Sequence, residues 1–513
     1  MIMKKGFIII FSLALFLQGC EKILLNVSNT DSPTIETFWE TERDAEKGLV
    51  AVYNALYQPG LYASNLYYRY DIASDEGFSL SSDTELQKWT LFQYDDYNSE
   101  SNTSTWGDSY RLIFRANQVL EYVPGIEFQD ELIRERIMAQ AHFLRGLAHY
   151  NLAILWETAP IVATLPSANE MPASSTPDSL FMFIESEFSM AAGKLPVTWD
   201  DENIARPTKG AALAMLAKVQ MQQHQWSEAK TSLDHFISGD LAGRYELVEN
   251  YADNFTHLTE NNRESVFEIQ FSDIYPGGDS ALLKPNLGTQ RALNFAPPSI
   301  GKGAGQARRW LWTSYKRERT VDGDPDPRLR ANLFYSTKKL DFPDETQVYG
   351  KEWEWGSNIY IRKYQGDYYR NFEDEYAPNN LRLIRYADIL LMYAEVINQV
   401  EGPDHAAPYV DMVRERAGLE KLDNSRYAGD VQTQNGFQER LETERALELC
   451  FETWRWADLK RWGLLDSPSG LLELILHDAD FKNFEAGKHH LLPIPLSESE
   501  NNSNLEQNLP YKN

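Results

Sequence analysis

The chain has 513 residues, room for a large core or for two to three packed units. Hydrophobic residues (42%), charged residues (24%), 29 Gly and 23 Pro are globular proportions and exclude collagen-like and wholly disordered readings. A formal net charge of −27 sets the chain against phosphate backbones and anionic membrane surfaces, which excludes nucleic acid as a partner, and two cysteines exclude a disulfide framework.

In chain order, the first signal is an address. Lys4 and Lys5 precede an apolar run over 6–17, too short to cross a bilayer, which needs about 20 residues, and of the length of a signal-peptide core. The run ends in Leu17-Gln18-Gly19-Cys20, the pattern of a bacterial lipoprotein signal. Cleavage before Cys20 would leave it as the lipidated first residue, and two or more acyl chains anchor stably. Residues 1–19 therefore read as signal peptide and 20–33 as a polar, lipid-anchored tether. Cys450, in an apolar stretch with no second Cys nearby, reads as core.

Helical periodicity then dominates. Apolar positions at Ala45, Leu49, Val52 and Leu56 predict a helix over 41–56, and similar stripes predict helices over 106–123 and 131–156. Thr176-Pro177 is an N-cap with Pro at the first helical position and opens a helix over 177–195. The Ala-rich segment 208–223, a short turn at His224-Gln225 and a helix over 226–237 resemble a tetratricopeptide hairpin, without its full signature or a constant period. Further helices are predicted over 383–400, 405–417 and 437–462. Strand alternation is confined to 265–270 and, more weakly, 358–364. Residues 271–380 are crowded with Gly, Pro, Asn and aromatics, and read as an ordered, loop-built surface on a helical scaffold.

Catalytic signatures are missing: the sequence has no HExxH, GxSxG or P-loop. His142 and His149 share a helix face without a third metal ligand. Gly301-Lys302-Gly303-Ala304-Gly305 follows no strand and is not a dinucleotide loop. Asp322, Asp324 and Asp326 alternate in a loop, but Pro327 and Leu333 stand where an EF-hand needs Gly and Glu. A solvated acidic turn is the expectation there, with calcium as the weighed alternative; no cofactor is expected. The charged stretch 444–462 predicts ion pairs of Asp458 with Arg455 and Arg461, with Leu447, Phe451 and Trp454 packed inward.

Several motifs occur in a recognisable order: Thr37-Phe38-Trp39, Arg115-Ala116-Asn117, Phe143-Leu144-Arg145-Gly146, Arg206-Pro207-Thr208-Lys209-Gly210, Arg385-Tyr386-Ala387-Asp388, Val413-Arg414-Glu415-Arg416-Ala417-Gly418, Trp454-Arg455-Trp456-Ala457-Asp458 and Leu492-Pro493-Ile494-Pro495. Behind a lipoprotein signal, this order resembles the SusD/RagB family of outer-membrane lipoproteins of Bacteroidota. The resemblance implies a mainly α fold, an α/α superhelix of tetratricopeptide-like hairpins packed against a loop-rich region with a few short strands. It implies an N-terminal helical region over 34–270, a ligand-facing loop region over 271–380 and a C-terminal helical region over 381–513. It also implies a non-enzymatic protein on the cell exterior that binds a nutrient, an oligosaccharide or polysaccharide, and passes it to a SusC-like TonB-dependent transporter. A peptide cargo, as in RagB-like members, and a glycosidase on the same scaffold are the alternatives. Family ligand contacts come from loops of the N-terminal third and the central region, which correspond here to 67–106 and 276–315. Within them Tyr67, Arg69, Asp75, Trp89, Trp310 and Trp312 are the expected ligand-binding residues, since aromatic faces stack on sugar CH surfaces and polar groups bond the hydroxyl rim.

Overall fold

The computed structural model describes residues 38–167, 169–274, 287–336 and 347–512. The signal peptide, Cys20, the tether and the 276–286 part of the central stretch lie outside the described residues.

Six long helices frame the N-terminal half among the described residues. Helix α1 (Glu42–Ala55) is capped by the Thr41 hydroxyl and buries Ala45, Leu49 and Val52. Helix α2 (Glu100–Tyr122) begins six residues before the apolar stripe does, because its first turns are buried through polar side chains; Asn102 donates to the Pro493 carbonyl, 3.0 Å away. Helices α3 (Glu131–Trp156), α4 (Pro177–Lys194), α5 (Lys209–Gln222) and α6 (Trp226–Ile237) follow the predicted spans within a residue or two. Each helix packs on the next, giving an array of helical hairpins. Small residues set the spacing: a Cβ on Gly146 of α3 would lie 3.1 Å from both Glu187 and Phe188 of α4.

Strand β2 (Ser265–Ile269) pairs antiparallel with β8 (Leu381–Arg385), so the loop-rich stretch leaves and re-enters the scaffold at one two-stranded ribbon. That pairing corrects the predicted helix over 383–400: its first three residues complete β8, and helix α8 runs Tyr386–Val400. Between the two strands lies helix α7 (Arg309–Arg317) with several short strands. Helices α9 (Pro403–Arg416) and α10 (Gln434–Leu449) pack on α8 and on each other.

The single helix predicted over 437–462 is two helices. Helix α10 stops at Leu449 and α11 (Arg455–Arg461) starts after a break in which Phe451 and Thr453 adopt φ values of 58° and 69°. Buried acids make the break possible: the Phe451 N–H donates to Glu76 and the Thr453 N–H to Asp71, at 3.0 and 2.9 Å. Leu447, Phe451 and Trp454 are all buried, as their apolar character requires. Helix α12 (Pro468–His477) follows and packs on α7.

Ionic clusters tie the loop region to this scaffold. Arg385 reaches Glu264, Glu448 and Glu452, and Arg328 reaches Asp326, Glu444 and Glu448, all buried. Burial alone would raise the Glu444 and Glu448 carboxyls, but the surrounding guanidinium groups outweigh it and hold both well below the usual range. Asp458 pairs with Arg461 as expected, but its other partner is Arg445; Arg455 turns away to Asp75, because the break before α11 points its side chain toward the N-terminal half.

Candidate functional site

Four short strands bring distant loops together. Strands β1 (Gly77–Phe78), β3 (Gln306–Ala307), β7 (Tyr360–Ile361) and β4 (Leu333–Phe334) form one antiparallel sheet in that order. Phe78 pairs with Gln306, and Gln306 with Tyr360. Residues 77–78 and 306–307, from the two expected loop stretches, therefore meet along this sheet, and 360–361 and 333–334 complete it.

Four of the six expected binding residues lie inside the protein. Tyr67 is buried against Phe295, and its hydroxyl accepts from Asn294 at 2.7 Å. Arg69 donates to the Tyr94 hydroxyl, and its guanidinium lies among the rings of Trp89, Tyr94 and Trp456. Trp89 is thus a wall of an interior cage. Asp75 is fully buried and gripped by Arg455; burial opposes its charge, but the guanidinium and His477 hold the carboxyl well below the usual range. Asp75 touches one of the other two expected residues: its carbonyl accepts the Trp310 N–H. Sequence cannot separate an inward from an outward aromatic in a loop, where no periodicity assigns a face.

Trp310 and Trp312, on α7, are half-buried and reach the surface. The Trp310 indole stacks on His477 with centroids 4.0 Å apart, and its N–H donates to the Asp75 carbonyl. Trp312 lies edge-on to Tyr335 and is flanked by Lys316 and Arg309.

The sequence reading did not single out Trp353 and Trp355. Strands β5 (Gln347–Val348) and β6 (Lys351–Glu352) form a hairpin whose two turn residues, Tyr349 and Gly350, have φ values of 53° and 72°, the backbone of a tight primed turn. Beyond β6, Trp353 and Trp355 meet edge to face at 5.2 Å. Trp355 is the buried anchor, packed on Tyr360 and donating to the Pro298 carbonyl at 2.8 Å. Trp353 stays half-buried, its N–H satisfied by the Gly356 carbonyl, so it offers a ring face rather than a hydrogen bond. Beside this turn, Ser299 donates to Glu354 and Lys351 donates to the Ser299 carbonyl. Arg309 donates to the Ser357 carbonyl at 3.2 Å, which joins the Trp353 turn to the helix that carries Trp312. The signal was present as Trp-Glu-Trp-Gly-Ser, alternating aromatics running into a turn.

The arrangement presents flat apolar faces inside a rim of hydroxyl, carboxylate and ammonium groups. It suits a ligand with apolar faces and polar edges. His142 lies beside Glu187, and His149 is bound to the Arg145 carbonyl. Asp326 is turned inward onto Arg328, so the acidic triplet does not converge on one point. Among the described residues no group of three or more His, Cys, Asp and Glu is placed to hold a metal ion.

The SusD family model matches residues 218–511, more than half of the chain. The chain belongs to the SusD family. A second model, described as starch-binding and associating with the outer membrane, matches residues 26–221 of this SusD-family chain. The SusD-like protein P25 of Formosa agariphila is 26% identical, covering 90% of each chain. A SusD superfamily protein from Bacteroides vulgatus superposes with a TM-score of 0.78 at 25% identity, over 93% of this chain and 100% of that one. A laminarin-binding SusD-like protein superposes with a TM-score of 0.73 at 25% identity, over 92% and 100%. The mainly helical architecture expected from the motif order is the architecture of this family.

Proposed function

We propose that this protein is a cell-surface lipoprotein that binds an oligosaccharide or polysaccharide through the Trp353–Trp312 surface and passes it to a SusC-like TonB-dependent transporter. The observation that carries the reading is the half-buried Trp353 ring, buttressed by Trp355, with the linked polar groups of Ser299, Glu354 and Lys351 on the same hairpin and the loop it packs on. Such a surface matches the alternating CH faces and hydroxyl rims of a sugar chain. The starch-binding description of the matching family model and the laminarin-binding neighbour support a glycan as cargo. Trp310 and Trp312 belong to this surface, and Asp75 holds Trp310 in place from within.

The signal pattern supports membrane attachment through Cys20, and membership of the SusD family supports delivery to a transporter. Binding alone, without chemistry, is the assigned role.

The test uses soluble protein, residues 21–513, in affinity electrophoresis against laminarin, amylopectin, xyloglucan, galactomannan and polygalacturonate. Retention by a polysaccharide, lost in Trp353→Ala, supports the reading. Binding to peptides without retention by any glycan moves the cargo to peptides, and new reducing ends during incubation would mark a glycosidase. Replacing Cys20 by Ala should release the full chain from the membrane fraction.

A further inference from the structure

A second aromatic surface lies in the loop-rich region, apart from the Trp353 cluster. Among the described residues, four large aromatic side chains remain exposed. Phe114 is isolated on α2, and the other three fall within five residues: Tyr368 at 38%, Tyr369 at 42% and Phe372 at 53%. Rings of that size held in water at one place mark a binding surface.

The platform is built, not loose. The Tyr368 hydroxyl accepts from the His257 backbone N–H at 2.9 Å and donates to Asn379 at 3.2 Å. The His257 ring meets Tyr369 edge-on at 4.5 Å, and Tyr369 meets Tyr368 at 4.9 Å. The Arg370 guanidinium lies 5.3 and 5.5 Å from the rings of Tyr369 and Phe372, which sets the spacing between them. Beside Tyr368 opens a groove of about 360 Å³, lined among others by Asn250, Thr256, Phe255, Arg362 and Gln365.

Charge narrows the ligand. Arg362 is paired with Asp367 at 2.8 Å, and Arg370 with Glu373 and Asp374, so these two guanidinium charges are cancelled locally. With a formal net charge of −27, the protein repels polyanions over longer range. Beside Arg330 and the Arg362–Asp367 pair, the groove offers ring faces, amides and hydroxyls.

Both aromatic surfaces adjoin the end of strand β7. Tyr360 of β7 packs on Trp355, and Arg362, two residues further, lines the groove and lies over Phe334 at 5.2 Å.

We propose that Tyr368, Tyr369 and Phe372, with the adjoining groove, form a second binding site for an uncharged glycan chain, separate from the Trp353 surface. The proposal rests on the glycan reading above. A second contact on one protein raises retention of a long chain far more than that of a short oligosaccharide, because the second engagement is intramolecular.

The experiment compares wild type, Trp353→Ala, the Tyr369→Ala/Phe372→Ala double variant and the triple variant on the same polysaccharide panel. Circular dichroism and thermal melting check folding, and Tyr369→Phe serves as a ring-preserving control. The double variant should weaken retention by a neutral polysaccharide about tenfold with an unchanged melt, Tyr369→Phe should behave as wild type, and the triple variant should lose retention. Wild-type retention in the double variant, with loss in Trp353→Ala, overturns the second site and leaves the glycan reading standing. Retention of wild type by polygalacturonate alone overturns the assignment to uncharged chains. Retention by no glycan overturns both readings.

Discussion

Asp75 and Arg455, 380 residues apart in sequence, meet in a two-point fork: Nε to Oδ1 and Nη2 to Oδ2, each 2.8 Å. The same carboxylate receives His477 Nδ1 at 2.8 Å, and the His477 ring stacks on Trp310. One buried charge thus fixes the break before α11, the end of α12 and an indole at the surface.

Asp75→Asn leaves the Arg455 guanidinium buried without its counter-charge. The expected cost is about 3–5 kcal/mol, seen as a lower denaturation midpoint. Glycan affinity should fall only as far as Trp310 shifts. An unchanged midpoint with lost binding would instead make Asp75 a direct ligand contact.

Trp353→Ala removes a half-exposed ring whose N–H binds only within its own turn. Glycan affinity should drop about 30-fold, equivalent to about 2 kcal/mol, with little change in melting. Trp355→Ala should behave differently. Its ring is buried against Tyr360, and its loss should cost about 3–5 kcal/mol of stability along with binding. Calorimetric titration beside thermal melting separates the two.

The helices were legible because burial of one face writes a 3.6-residue period into the sequence, as in α3 and α4. The misread places are those where long-range partners override local pattern. Residues 383–385 have helical neighbours but are held in β8 by β2, and 450–454 has an apolar period but is opened by Asp71 and Glu76. The site was legible only as a region. Asp75 has no local partner, so nothing near it in sequence reveals the fork with Arg455, and Trp353 gains its role from a sheet whose strands are two residues long.

Cys450 is fully buried, and burial pushes its thiol up to about 12. In protein comprising residues 21–513 it is the sole thiol. A thiol reagent at pH 8 should leave the native protein unlabelled for hours and modify one equivalent at once in 6 M guanidinium. Rapid native labelling would show that the α10–α11 break opens readily.

Glu442 gives a pH signature. Burial, reinforced by Glu395 and Glu473 and opposed by Gln438 and Arg455, pushes its carboxyl up to about 7. Gln438 donates to its Oε1 at 3.1 Å, a bond that a glutamine at 442 can also accept. In the unfolded chain the group titrates near 4.5, its ordinary value. Between pH 4.5 and 7 the folded protein therefore holds a proton that the unfolded chain has lost, and this group's contribution to stability declines as pH rises through that window. Above pH 7 the folded state carries a half-buried charge. Glu442→Gln removes that charge, so it should stabilise the protein at pH 8 by about 1–2 kcal/mol after allowance for solvent screening. The advantage should shrink steadily below pH 7 and vanish near pH 4.5, where both side chains are neutral. Denaturant midpoints of the two proteins across pH 4.5–8.5 provide the measurement. A constant difference would mean that Glu442 does not titrate in this window, and a destabilised variant at pH 8 would mean that its charge is paired.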